Sequence, residues 1–186
     1  MARKIGVLIG SLRKESWNRK VALALIDMAP PDLDPEIIEI GQLPLYNQDP
    51  DDQDNPPDEW KKFREKMRNI DGVLFVTPEY NRSVPAPLKN AIDVGSRPYG
   101  KSIWSGKPGA IVSASPGAIG GFGSNHHLRQ SLVFLDVPCM QQPEAYISNV
   151  NQLFKESHTI AKDETRDFLK KFMETYANWV NMILKK

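Results

Sequence analysis

The stretch Gly10-Ser11-Leu12-Arg13-Lys14-Glu15-Ser16-Trp17-Asn18-Arg19 gathers hydroxyls (Ser11, Ser16), a carboxamide (Asn18) and guanidinium groups (Arg13, Arg19). All of these donate hydrogen bonds to phosphate oxygens, and the guanidinium groups add charge. The stretch follows the apolar run Ile5-Gly6-Val7-Leu8-Ile9 and precedes the helical pattern Val21-Ala22-Leu23-Ala24-Leu25-Ile26. A strand, a polar turn and a helix start, in that order, aim free backbone N–H groups and the positive end of the helix dipole at one spot. The pattern predicts an anion cradle. A cap at Ser16 with solvated arginines is the plainer reading, but it leaves the second hydroxyl and the amide unexplained. The kind of anion narrows by elimination. No Gly-Lys-Ser/Thr follows the glycine, as a nucleoside-triphosphate loop requires, and no G-x-G-x-x-G is present to admit a pyrophosphate. No cysteine stands in the loop to serve as a phosphatase nucleophile. A phosphate monoester fits what remains.

Two more stretches carry polar groups and backbone freedom. In Thr77-Pro78-Glu79-Tyr80-Asn81-Arg82-Ser83, with Pro85 beyond, the prolines restrict the chain and leave neighbouring N–H groups to meet a planar ligand. Tyr80 offers a flat face, and Asn81 both donors and acceptors. In Ser113-Ala114-Ser115-Pro116-Gly117, continuing to Gly120-Gly121-Phe122-Gly123, the glycines permit close backbone approach beside two hydroxyls.

The elements that must position these stretches follow from hydrophobic period. Strands are predicted at 4–9, 36–40, 72–77, 109–114 and 137–141. The helices run from Ser16 or Trp17 to Met28, from 57 to 68, through Pro87, Leu88, Ala91 and Ile92, from 125 to 135, and from 163 to 184. On the last helix Phe168, Phe172, Tyr176, Trp179, Val180 and Ile183 form a core stripe. The second strand is the more polar and is expected at an edge. Alternation of strand and helix implies α/β architecture with an open parallel sheet. In strand order 2-1-3-4-5 the ligand crevice lies beyond the carboxyl ends, between strands 1 and 3. The three polar stretches follow strands 1, 3 and 4, so they converge on one pocket. Residues 41–57 read as a long solvated loop. Its aspartates lack the glycine and closing glutamate of a calcium loop.

Composition sets the outer bounds. The 186 residues fit one domain over 1–186, without repeats or linkers. A net charge of +1 argues against nucleic acid as a partner. No apolar run approaches the ~18 residues of a membrane span. The N-terminus has no signal-peptide pattern, and the lone Cys139 fits a reducing compartment, so a cytoplasmic chain is expected. Cys139 reads as core, and His126 and His127 as surface or interface positions. Arg97-Pro98-Tyr99 reads either as a helix-ending turn or as a flank for a substrate.

The first motif resembles the phosphate loop of the NADPH-dependent FMN reductase family. Pro78-Glu79-Tyr80-Asn81-Arg82-Ser83-Val84-Pro85, followed by Leu88-Lys89-Asn90-Ala91-Ile92-Asp93, is similar to its second motif. Ser113-Ala114-Ser115-Pro116-Gly117 with Gly120-Gly121 and Leu128-Arg129-Gln130 is similar to its third. The likeness runs from residue 4 to about 146 and is nearest the bacterial chromate and quinone reductases. It implies a flavodoxin-like three-layer sandwich holding FMN without a covalent bond. By position it implies that Ser11, Arg13, Ser16 and Asn18 bind the FMN phosphate, with Trp17 among them. Pro78, Glu79, Tyr80 and Asn81 would line the isoalloxazine edge, mostly through backbone, and Ser115 would complete the site. It further implies hydride transfer from NAD(P)H through FMN to a small acceptor such as a quinone, free flavin or chromate. No metal and no side-chain nucleophile enter this scheme. It also implies a homodimer or homotetramer packed through the helix carrying Pro87, Leu88, Ala91 and Ile92 and the helix at 125–135, with Arg129. A flavodoxin-like electron carrier is the alternative, weakened by the absence of a strongly acidic surface.

Overall fold

The computed structural model describes residues 1–184. Strands β1 (Arg3–Ile9), β2 (Leu33–Ile37), β3 (Gly72–Thr77), β4 (Gly109–Ala114) and β5 (Ala145–Ile147) form one parallel sheet in the order β2-β1-β3-β4-β5. The helices are α1 (Trp17–Asp27), α2 (Asp49–Asp52), α3 (Asp58–Arg68), α4 (Ala86–Gly95), α5 (Phe122–Phe134) and α6 (Asp163–Leu184). Period-two alternation sends strand side chains to two separate cores. Ile5, Val7, Leu74, Val76, Ala110 and Val112 meet α1 and α6 on one face. Leu8, Val73, Phe75 and Ile111 meet α3, α4 and α5 on the other. This is the three-layer, flavodoxin-like arrangement expected from the sequence. Among the described residues no helix is long and apolar enough to cross a membrane.

Four expectations are corrected. β2 lies at Leu33–Ile37 rather than 36–40: Ile38 N–H makes the last bond to β1, to the Val7 carbonyl at 2.9 Å, and the chain then turns so that Ile38 and Ile40 bury their side chains with α3. β5 lies at Ala145–Ile147 rather than 137–141. Cys139 makes only an isolated bridge to Gly109, and Pro138 and Pro143 have no N–H to extend that pairing; the ladder forms where Ala145 faces Val112. The stripe of α6 is turned by one residue at its start: Leu169, Phe172, Met173, Tyr176, Ala177 and Val180 are buried, while Phe168 faces solvent. The segment 41–57 is not wholly a solvated loop. It contains α2, and the Asp51 carboxylate meets the Arg64 guanidinium at 2.7 Å through both oxygens. Those side chains are 2% and 5% exposed, and Arg64 Nε donates to the Val94 carbonyl at 2.9 Å.

Candidate active site at the carboxyl ends of three strands

The adjacent strands β1, β3 and β4 end at Ile9, Thr77 and Ala114, so their following loops leave the sheet side by side. Gly10 N–H donates to the Val76 carbonyl at 2.9 Å. A Cβ on Gly10 would sit 3.0 Å from Thr77 Oγ1 and 3.2 Å from Pro78 Cδ. The first two loops therefore touch at a place where any side chain would have to push its neighbours aside.

Within the first loop Ser16 is the N-cap of α1, and its Oγ accepts from Arg19 N–H at 3.1 Å. Helix geometry leaves the N–H groups of Trp17 and Asn18 without intrahelical acceptors. Arg19 folds back onto Glu39 at 2.6 Å, a hydrogen bond that raises its pKa further. Arg13 is exposed and enters no salt bridge among the described residues, and Ser11 beside it is half-buried. Buried Asn18 donates from Nδ2 to the Ala114 carbonyl at 3.2 Å, while its Oδ1 has no partner among the described residues. Asn18 thus ties the start of α1 to the end of β4. Trp17 stacks on Phe154, with ring centroids 6.2 Å apart and planes within 2°, and Lys20 Nζ lies 4.7 Å from a Trp17 ring centroid. Its indole is therefore occupied by the segment that precedes α6.

The second loop makes a tight reversal. Tyr80 N–H donates to Ser83 O at 3.2 Å and Ser83 N–H to Tyr80 O at 2.9 Å. Between them Asn81 and Arg82 have φ of 50° and 63°, the left-handed pair that this turn geometry requires. The turn lifts Asn81 and Tyr80 into solvent, with Tyr80 52% exposed. Glu79 points the other way. Its carboxylate is 11% exposed, accepts from Ser124 N–H in the first turn of α5 at 3.1 Å, and lies 3.4 Å from Arg82. Pro78 is half-buried between the two loops.

The third loop closes over β4. Ser115 Oγ accepts from Gly117 N–H at 3.1 Å, and Ser115 N–H pairs with Ile147 O at 3.0 Å. Gly121 precedes α5 with φ of 79°, and a Cβ there would approach Ser113 Cβ to 3.0 Å. Beneath the loops lies a buried polar network that the sequence does not reveal. Thr77 Oγ1 and Ser124 Oγ are 3.2 Å apart, Asn125 Nδ2 donates to Ser113 Oγ at 3.4 Å, and Arg129 Nε donates to Asn125 Oδ1 at 3.0 Å. Serine and asparagine are common at helix starts whether or not they reach a neighbouring strand, so their types alone carry no such signal.

Other groups singled out by the sequence stand apart. His126 and His127 are exposed, contacting Tyr146 OH at 2.9 Å and Ser83 Oγ at 3.0 Å respectively. Burial, reinforced by Glu144, pushes the Tyr146 phenol up to about 12. Arg97-Pro98-Tyr99 forms the turn after α4, at the opposite end of that helix from the second loop, and the Arg97 guanidinium bonds Ser96. A concavity of about 730 Å³ lies elsewhere, along α3 between Lys61, Arg68 and Lys101, and is lined by Pro98 but by none of the predicted FMN-binding residues. No group of three metal-ligating side chains occurs among the described residues.

The uncommitted donors on the shelf, namely Arg13, the Ser11 hydroxyl and the first N–H groups of α1, suit a phosphate monoester. The exposed turn at Tyr80 and Asn81 stands beside them. Relatives carry the same fold over nearly the whole chain. A quinone reductase of Pseudomonas putida is 62% identical over 178 residues, covering 96% of this chain and 95% of its own. A 2-hydroxy-1,4-benzoquinone reductase of a Burkholderia species is 46% identical over 180 residues, 97% of each chain. The solved structure of the flavoenzyme NAD(P)H:acceptor oxidoreductase FerB of Paracoccus denitrificans superposes with a TM-score of 0.91 at 35% identity, covering 97% of this chain and 98% of that one. Residues 3–152, which carry all three loops, match the NADPH-dependent FMN reductase family; the chain belongs to that family, a flavoenzyme that takes FMN as cofactor and NAD(P)H as electron donor.

Proposed function

We propose that this chain is an FMN-dependent NAD(P)H:quinone oxidoreductase whose flavin lies across the three loops. The observation that carries the reading is the pairing of Arg13, which enters no salt bridge among the described residues, and half-buried Ser11 with the exposed Tyr80–Asn81 turn that follows the neighbouring strand. Arg13, Ser11, Ser16 and the α1 N-terminus hold the phosphate, and Asn18 fixes the loop to β4. The backbone of Pro78, Glu79, Tyr80 and Asn81 flanks the ring, and Ser115 shapes the opposite wall. FMN supplies the two-electron relay between NAD(P)H and the acceptor. The protein's part is to bind, orient and leave one face open to both substrates in turn. The names of the relatives support a quinone as acceptor; we propose chromate and free flavin as further acceptors. Exposed Val133 and Phe134 on α5 support a second copy packing there, in a homodimer or homotetramer. A reducing cytoplasm suits both the single cysteine and the NAD(P)H supply.

The test is steady-state turnover of the FMN-loaded protein with NADH and NADPH against benzoquinone, naphthoquinone, chromate and free FMN. The expected outcome is the highest kcat/KM with a quinone. FMN-loaded protein that oxidises neither nicotinamide with a quinone present would instead be an electron carrier.

A further inference from the structure

Glu79 is the one acidic side chain in the second loop, and it is nearly buried rather than solvated. Its Oε2 accepts from Ser124 N–H at 3.1 Å. The packing there is close, since a Cβ on neighbouring Gly123 would come within 3.0 Å of Glu79 Oε2 and 2.7 Å of Arg82 O. Ser124 is in turn 3.2 Å from Thr77 Oγ1 at the end of β3. The carboxylate therefore cannot swing away without disturbing the start of α5. Its counter-ion Arg82 is 3.4 Å away and 73% exposed, so water screens that pair. The result is a negative charge fixed at the base of the second loop, held by the first turn of α5 on one side and by a water-screened arginine on the other.

We propose that Glu79 sets how readily the bound flavin is reduced, by fixing this charge beneath the loop that flanks the isoalloxazine ring. The proposal rests on the reading that the ring lies along residues 78–81. Two-electron reduction adds electron density to the ring, and a fixed carboxylate in a partly buried setting opposes it. The flavin is thereby kept a stronger reductant towards its acceptor. A purely structural role would be satisfied by any acceptor for Ser124 N–H. The amide oxygen of glutamine supplies one without the charge.

The experiment is a spectroscopic redox titration of FMN-loaded Glu79→Gln beside the unaltered protein, with FMN affinity and Tm measured on the same samples. The expected result is a more positive midpoint, by about tenfold in the two-electron equilibrium constant or ~30 mV, with Kd and Tm unchanged. An unchanged midpoint in folded, FMN-loaded Glu79→Gln overturns the proposal. Should that variant fail to fold, Glu79→Asp keeps the charge while shortening its reach to Ser124 N–H. A midpoint close to that of the unaltered protein then supports the charge, and a midpoint raised by ~30 mV or more overturns the proposal. Tyr80→Ala separates the two ways of failing. A changed spectrum of bound FMN in Tyr80→Ala with an unmoved midpoint in Glu79→Gln leaves the ring in place and removes Glu79's role. An unchanged spectrum in Tyr80→Ala together with an unmoved midpoint in Glu79→Gln means that the ring lies elsewhere and the underlying reading fails.

Discussion

Arg13 and Arg19 stand six positions apart in the same loop-to-helix segment, yet the structure gives them different work. Arg19 is committed to Glu39 at 2.6 Å, whereas Arg13 is exposed and enters no salt bridge among the described residues. Replacing each by alanine therefore makes a paired test of the phosphate site. A charge-assisted hydrogen bond contributes about 1.5–3 kcal/mol when well sheltered. Arg13 is open to water, and solvent screening reduces this to about 1–2 kcal/mol. That corresponds to a five- to thirty-fold weaker FMN Kd for Arg13→Ala, at roughly 1.4 kcal/mol per tenfold. Arg19→Ala removes only a surface pair, worth about 0–1 kcal/mol to stability, and should alter FMN Kd less than about threefold. The assay is quenching of FMN fluorescence on titration with apoprotein, at two salt concentrations. The Arg13 contribution should shrink at the higher salt, because it is exposed. Equal effects of both substitutions, or an unchanged Kd in Arg13→Ala, would refute the assignment.

Two further outcomes concern groups away from the loops. Asp51→Ala leaves the Arg64 guanidinium buried without its carboxylate, at a cost of about 3–5 kcal/mol. At roughly 2–4 °C per kcal/mol for a chain of this size, thermal unfolding should begin some 6–20 °C lower; a shift under about 2 °C would show that the pair is dispensable. Burial pushes the Cys139 thiol up to about 11 from an ordinary value near 9. The folded chain thus favours the protonated thiol, and this contribution is whole below pH 9 and lost as pH rises towards 11. Iodoacetamide at pH 8 should alkylate the native protein far more slowly than the urea-unfolded chain, and equal rates would contradict the burial.

How far the sequence announces the structure depends on whether a signal is local. β1, β3 and β4 are buried on both faces, so each reads as an unbroken apolar run and is placed within a residue of where it lies. Ser16 announces α1 because capping involves only the next three residues. β2 and β5 are edge strands, where a pairing partner on one side alone leaves the register to proline and to the burial of neighbours. Ile38 and Ile40 have strand-like alternation but serve the core under α3. Phe168 and Leu169 are equally apolar, and only the packing of α6 on the sheet decides which turns inward. Asp51 and Arg64 lie thirteen residues apart with acids on every side, so no spacing rule picks out that carboxylate from its neighbours.

The site divides its residues by exposure, and the division has a physical reason. Three of the groups proposed for the ligand, Arg13, Tyr80 and Asn81, are exposed, while Ser16 is buried as the cap of α1. Groups that fix the loops, namely Thr77, Ser113, Ser124 and Asn125, are buried and joined by hydrogen bonds across two strands and one helix. Buried polar bonds strengthen in low dielectric and penalise any opening that leaves one unpaired. The network therefore holds the first turn of α5 in register with the strand ends before a ligand arrives, which lowers the ordering cost of binding. Left-handed φ values at Asn81 and Arg82 serve the same end. They cost local backbone energy, offset by the two hydrogen bonds that close the Tyr80–Ser83 turn. Rigidity below and free donors above are what a protein needs to hold a planar redox group while leaving one face open to exchange of substrates.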